Sequence, residues 1–248
     1  MPSAASARPS EYQRLLARVT AVLADAHQPV GLVILGIDEL AEIRARLGFT
    51  AAEQLIADLA AAIGGAVRAK DEVLQIGDAS FALLMPGLKN KGHAGLAAEK
   101  LQRVANDVIA QSGASLRPGL HLGISMYPLQ AQTAPDLVQH AQIAQSSARR
   151  AGIPVQMFEE FCVQRVHRDW GLEQRFAHAL DTGELEMHYQ PKISVMNGRT
   201  AGAEALMRWI SHGQAIATPD VFIPLAEAAR SEERRVGKEC RSRWSPSH

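Results

Sequence analysis

From Glu11 to His27 the apolar residues Leu15, Leu16, Val19, Val22 and Leu23 recur at the spacing of one helix face, and Gln28-Pro29 breaks the pattern. Val30 to Ile37 is a nearly unbroken apolar run rich in β-branched residues, which predicts a strand buried on both faces. A polar helix beginning at Asp38 and closed by Gly48 is expected next. It is followed by a helix over Thr50 to Ile63 with Leu55, Ile56, Leu59 and Ile63 on one side. Val73 to Ile76 and Ser80 to Met85 read as two short strands meeting at Gly77-Asp78, where the glycine is expected to take a positive φ. A helix from His93 to Gln111, a strand from Leu120 to Tyr127, a helix from Ala134 to Ala151 capped by Thr133, and a strand from Val155 to Phe158 complete the series. This order predicts an α/β fold, a single sheet with helices on its faces.

Helical spacing resumes from Phe161 to Leu180, as in a helix connecting two domains. Leu185 to Ile193 and Thr200 to Trp209 read as strands joined through Asn197-Gly198, a strong turn signal. The second of these is expected to be mostly buried, and Trp170 and Trp209 are expected as core aromatics. Pro219 opens a last helix carrying Phe222, Ile223 and Leu225.

Composition narrows the function. The chain has 248 residues, 47% of them hydrophobic, with Lys+Arg 26 against Asp+Glu 26. A zero balance argues against binding nucleic acid through a broad basic face, which needs an excess of Lys and Arg to displace counterions. The zero is not uniform: residues 1–229 carry 20 basic and 23 acidic side chains, whereas residues 230–248 carry 6 and 3. No apolar run reaches the roughly 18 residues of a membrane span. Cys162 and Cys240 stand far apart with no ligand-like neighbours, which disfavours a zinc site or a disulfide framework and suits a reducing, cytoplasmic setting.

The strings ILGIDEL, RAKDEVLQIGDASFALLMPG and LGISMYPLQAQTAPDLVQHAQIAQSSARRAG, in this order of elements, make residues 28–160 resemble a GGDEF domain. YQPKISVMNGRTAGAEALMRW followed by TPDVFIPLAEA resembles the opening of an EAL domain over roughly 171–229, within a segment 161–229 that begins with the connecting helix, while residues 1–27 are an entry helix and linker ahead of the first domain. The resemblance implies a nucleotidyl-cyclase-like sheet with flanking helices, followed by the first strands of an incomplete (β/α)8 EAL barrel. GGDEF domains condense two GTP into cyclic di-GMP with metal ions held by carboxylates, and EAL domains hydrolyse cyclic di-GMP with two metals, Mg2+ or Mn2+.

Carried over residue by residue, the first resemblance implies a degenerate cyclase. The signature stands as Gly77-Asp78-Ala79-Ser80-Phe81, so Ala79 and Ser80 replace the acidic pair, and Gly36 replaces the strand-end metal aspartate. Arg44 and Glu53 stand where the family places a guanine-reading Asn and an Asp. Arg149 is left as a phosphate contact, and Asp38 as the family's other, structural acid. Arg68-Ala69-Lys70-Asp71 matches the RxxD product-binding motif, in which Arg68 clamps phosphate and Asp71 reads guanine; the alternative is an ordinary solvated charged turn. The second resemblance makes Glu204 a metal ligand and catalytic residue of an incomplete site, with Arg208 and Gln190 binding the substrate.

The expected function is therefore a fragment of a bacterial cyclic di-GMP signalling protein whose parent is a phosphodiesterase. Its alternatives are a non-enzymatic receptor for cyclic di-GMP or GTP, or a structural module that forms a homodimer. Residues 230–248, RSEERRVGKECRSRWSPSH, break from the preceding pattern and read as a translated sequencing adapter, an expectation that also accounts for a barrel stopping after two strands.

Overall fold

The computed structural model describes residues 10–112, 118–219 and 221–223. Leu225 of the expected last helix and the whole of 230–248 lie outside these residues. Contacts divide the chain between Val166 and His167 into two compact units.

The first unit contains α1 (Glu11–Ala24), β1 (Val30–Ile37), α2 (Leu40–Leu47), α3 (Phe49–Ala66), β2 (Glu72–Gly77), β3 (Ser80–Met85), α4 (Lys91–Gln111), β4 (Leu120–Tyr127), α5 (Ala134–Ala151) and β5 (Val155–Met157). The strands form one mixed sheet in the order β2-β3-β1-β4-β5, antiparallel except for the β4/β5 pair. All eight residues of β1 are buried, as the apolar run requires. Side chains alternate across a strand, so Val33, Leu35 and Ile37 enter the core shared with α2, α3 and α4. Val30, Leu32 and Ile34 enter the core beneath α1 and α5. A helix layer on each face is what removes the polar positions from β1.

The helix ends follow local chemistry. Ser10 and Gln13 form a capping box on α1, Thr133 and Asp136 form another on α5, and Gly152 closes α5 at φ 64°. Asn90 caps α4 through the backbone N–H of His93, starting that helix two residues before His93. The helix expected to begin at Asp38 instead starts at Leu40, after Glu39 at φ 58°. Asp38 keeps the strand-end conformation because its N–H donates to the Gly119 carbonyl and its carboxylate is held by two side chains described below. Gly77 likewise departs from expectation: it ends β2 without a positive φ, and Asp78-Ala79 make the two-residue turn.

One glycine fixes a layer spacing. A Cβ at Gly123 would overlap the backbone of Ala141 and Gln145, so α5 lies directly on β4 with no side chain between them.

The second unit holds most of α6 (Glu160–Thr182), whose first turns belong to the first unit. It adds an antiparallel sheet β6-β7-β8 formed by Leu185–Ile193, Thr200–Ser211 and Gln214–Ala217. The β6/β7 turn is closed by Gly198 at φ 65°. Strand β8 was not foreseen; His212 and Gly213, both at positive φ, supply a two-residue hairpin turn after Ser211. The burial expected of the Thr200–Trp209 strand is also corrected. β6 is almost wholly exposed and the first six residues of β7 are exposed, because the small core of this unit gathers only at the Trp209 end. Phe176 and Ala179 of α6 pack there with Trp209 and Phe222, Trp209 lying edge-on to Phe176 at 5.4 Å. Trp170 is 61% exposed and is not a core residue.

Candidate functional site

The C-terminal end of β1 and the β2–β3 turn come together because β3 and β4 flank β1 in register. Gly36 pairs with Ser80 on one side and with His121 on the other. The N–H of Ile37 donates to the Ala79 carbonyl at 3.1 Å, tying the turn to the strand end. Phe81, opposite Leu35, is buried and anchors the hairpin in the core, while Ala79 is also buried.

No carboxylate reaches this strand end from Gly36, Ala79 or Ser80. The space a side chain at Gly36 would enter is taken by the amide of Gln145, and the Ser80 hydroxyl lies 3.9 Å from the Cβ position. Among the described residues no group of three His, Cys, Asp or Glu side chains is placed to share a metal ion.

The acids that remain are each held by a cation. Asp38 forms an ion pair with Arg149, Oδ1 lying 3.1 Å from Nε, and its Oδ2 lies 3.0 Å from His121 Nε2. Arg44 donates to Glu53 Oε1 through Nε and Nη2 at 3.2 and 2.7 Å, and to Asp78 Oδ2 through Nη1 at 3.0 Å, while stacking over Phe49 at 5.3 Å. These hydrogen bonds hold the guanidinium's pKa above its ordinary value. The Arg44 and Glu53 replacements thus form one matched contact that also fastens the hairpin tip to α2 and α3.

Arg68 and Asp71 are brought together, but onto each other. Arg68 makes a fork to Asp71, Nη2 to Oδ1 at 2.6 Å and Nε to Oδ2 at 2.8 Å, and its backbone N–H reaches Oδ2 at 3.1 Å. The Asp71 side chain is 4% exposed, that of Arg68 45%. The pair borders a cleft of about 290 Å³ that also touches His93, Leu96 and Lys100.

In the second unit Gln190 lies directly across from Glu204, and Glu186 directly across from Arg208. Residues two apart share a strand face, so Gln190, Glu204 and Arg208 occupy one face of the hairpin. Glu204 is exposed and lies 3.4 Å from Lys192 Nζ. Arg208 donates to the Met207 carbonyl.

Two residues of the first site were missed from the sequence, His121 and Gln145. Gln145 stands one turn before Arg149 on α5, a helix-face spacing that could have found it.

A family model described as "Diguanylate cyclase, GGDEF domain" matches residues 10–153. The chain belongs to the GGDEF family. An EAL domain model matches residues 173–243, so the match runs into the segment read above as adapter-derived. Among curated proteins, the chain is 28% identical over 200 residues to the cyclic di-GMP phosphodiesterase NbdA of Pseudomonas aeruginosa, covering 80% of this chain and 25% of that protein. It is 29% identical over 197 residues to MucR of the same organism, a bifunctional diguanylate cyclase/cyclic di-GMP phosphodiesterase, covering 79% and 29%. The chain spans between a quarter and a third of the length of these relatives. The GGDEF domain of YfiN from P. aeruginosa superposes with a TM-score of 0.54 at 25% identity, covering 61% of this chain and 96% of that one. The α/β sheet with flanking helices expected from the sequence is thereby established for the first unit. No helix of the described residues is long and apolar enough to cross a membrane.

Proposed function

We propose that this chain is part of a cyclic di-GMP signalling protein in which the GGDEF domain makes no cyclic di-GMP and the EAL domain of the intact protein hydrolyses it. The observation that carries the first half is the strand end itself: Gly36, Ala79 and Ser80 offer no carboxylate, and Gln145 fills the space above Gly36. Without an acidic ligand set, nothing there holds the cations that neutralise a triphosphate during in-line transfer. The second half is supported by the shared face of Gln190, Glu204 and Arg208 and by the printed activity of NbdA. Glu204 is one ligand of the Mg2+ or Mn2+ pair, with Arg208 on phosphate and Gln190 along the dinucleotide. Two metals need further carboxylates than this hairpin carries, and these belong to the rest of the EAL domain.

The test is an assay of the intact protein with Mn2+ and either GTP or cyclic di-GMP. GTP is expected to remain unconverted, cyclic di-GMP to be linearised, and Glu204→Ala to abolish that hydrolysis. Cyclase activity would overturn the first half. Binding of cyclic di-GMP without turnover, lost in Arg68→Ala, would replace the second half by a receptor acting through the Arg68–Asp71 cleft.

A further inference from the structure

His121 stands on β4 with its side chain 13% exposed, and each of its ring nitrogens faces an oxygen. Nδ1 is 2.9 Å from the carbonyl of Ile153, in the connection between α5 and β5. Nε2 is 3.0 Å from Oδ2 of Asp38, in the connection between β1 and α2. A backbone carbonyl and an ionised carboxylate only accept hydrogen bonds, and a neutral imidazole carries one N–H. Both contacts can be made at once only by the doubly protonated ring. With one proton removed, a ring lone pair is left facing an oxygen lone pair at hydrogen-bond distance.

We propose that His121 is a proton-operated tie that holds the β1–α2 connection to the α5–β5 connection while the ring is charged and lets go of the latter when the ring is neutral. Asp38 is the stronger acceptor, being charged, and keeps the remaining N–H, so the bond that breaks is the one to Ile153. Asp38 itself does not move, because Arg149 holds its other oxygen and the Gly119 carbonyl holds its N–H. Ile153 is anchored on its other side by its N–H to the Ala148 carbonyl, and the next residue, Pro154, accepts from Leu122 on β4. Release therefore loosens the start of β5 rather than unfolding α5.

The charged groups that bear on the ring are Asp38 from the β1 side and Arg149 from α5; the β5 side presents the Ile153 carbonyl. The hydrogen bond to Asp38 outweighs partial burial and the opposing Arg149 charge, and holds the imidazole pKa above its ordinary value. The sign follows. The tie is complete below the ordinary imidazole value of about 6.5 and is lost as pH rises through the higher folded-state value.

The experiment is a pH titration of the full chain by NMR, with labelled histidine rings and backbone amides, His121→Gln identifying the ring signal. The expected midpoint for His121 lies above about 6.5. The amides of Gly152 and Ile153 should move with that midpoint in the wild type and stay flat over the same range in His121→Gln. Asp38→Asn should bring the midpoint down. If that variant does not fold, Arg149→Gln, which removes an opposing charge at an exposed side chain, should raise it. A wild-type midpoint at or below about 6.5, or a ring that titrates while the Ile153 amide is silent, overturns the tie.

Discussion

At the scale of single residues, two glycines carry opposite predictions. Gly123→Ala forces a methyl into the backbone of Ala141 and Gln145, where no flexible side-chain end can yield, so α5 must lift from β4. Overpacking of this kind costs about 1–3 kcal/mol and more where backbone must move. Gly64 lies inside α3 with open space around its Cβ position, and Gly64→Ala should stabilise by about 0.5–1 kcal/mol. Urea unfolding of the two variants side by side checks both signs. Neither outcome is readable from the sequence, where each is simply a glycine in or near a helical or strand pattern. What the sequence reveals at this scale is identity alone: Gly36, Ala79 and Ser80 bring no carboxylate to the strand end. It could not reveal that Arg44 is bonded to Glu53 and Asp78, because those partners lie 9 and 34 residues away.

At the scale of elements, legibility tracked the strength of the local pattern. β1, β4, α5 and β6 fall at their expected bounds because alternation, continuous apolar runs or caps mark both ends. Strand β8 was missed because four residues after a His-Gly turn give too short a pattern. The exposure of Glu204 was misjudged because apolar neighbours in a strand do not say whether anything packs on them. Besides the packing of Phe176 and Ala179 on Trp209, α6 is tied to the β6–β7 hairpin through Glu184, which accepts from Trp209 Nε1 at 2.9 Å and Arg175 Nη2 at 3.3 Å, while its carbonyl accepts from the Ile210 N–H. Hydrogen bonds from Ser211, Trp209 and Arg175 push its pKa down to about 2 from 4.5. A depressed carboxylate stabilises the fold above its unfolded-state value and loses that contribution as pH falls through the interval down to the folded-state value. The second unit should therefore loosen between about pH 4.5 and 2, and Glu184→Gln should remove that acid transition while weakening the unit at neutral pH. Tryptophan fluorescence in a Trp170→Phe, Trp244→Phe background, leaving Trp209 as reporter, measures it.

At the scale of the whole molecule, the two units hold very unequal cores. The first buries side chains on both faces of a five-stranded sheet; among the described residues the apolar core of the second gathers Phe176, Ala179 and Phe222 around Trp209. Burying apolar area is the main favourable term in folding, so the second unit is expected to unfold first. Calorimetry should show two transitions. Phe176→Ala, which removes a large side chain 7% exposed, should lower the first by several degrees and leave the second in place. A single transition shifted as a whole would contradict the division at Val166. The sequence disclosed the two segments through their patterns and motifs, but core size depends on which faces meet, and that is a property of the assembled sheet.

The direct seating of α5 on β4 at Gly123 has a last consequence, for engineering. A helix resting backbone on backbone has one permitted height above the sheet, so the geometry between residue 145 and the end of β1 is set by the chain's framework. What occupies the space at Gly36 is only the rotatable tip of a glutamine. The closure of the strand end is thus a matter of side chains on a fixed scaffold, and an acidic side chain introduced at position 36 would meet a movable amide instead of an immovable wall.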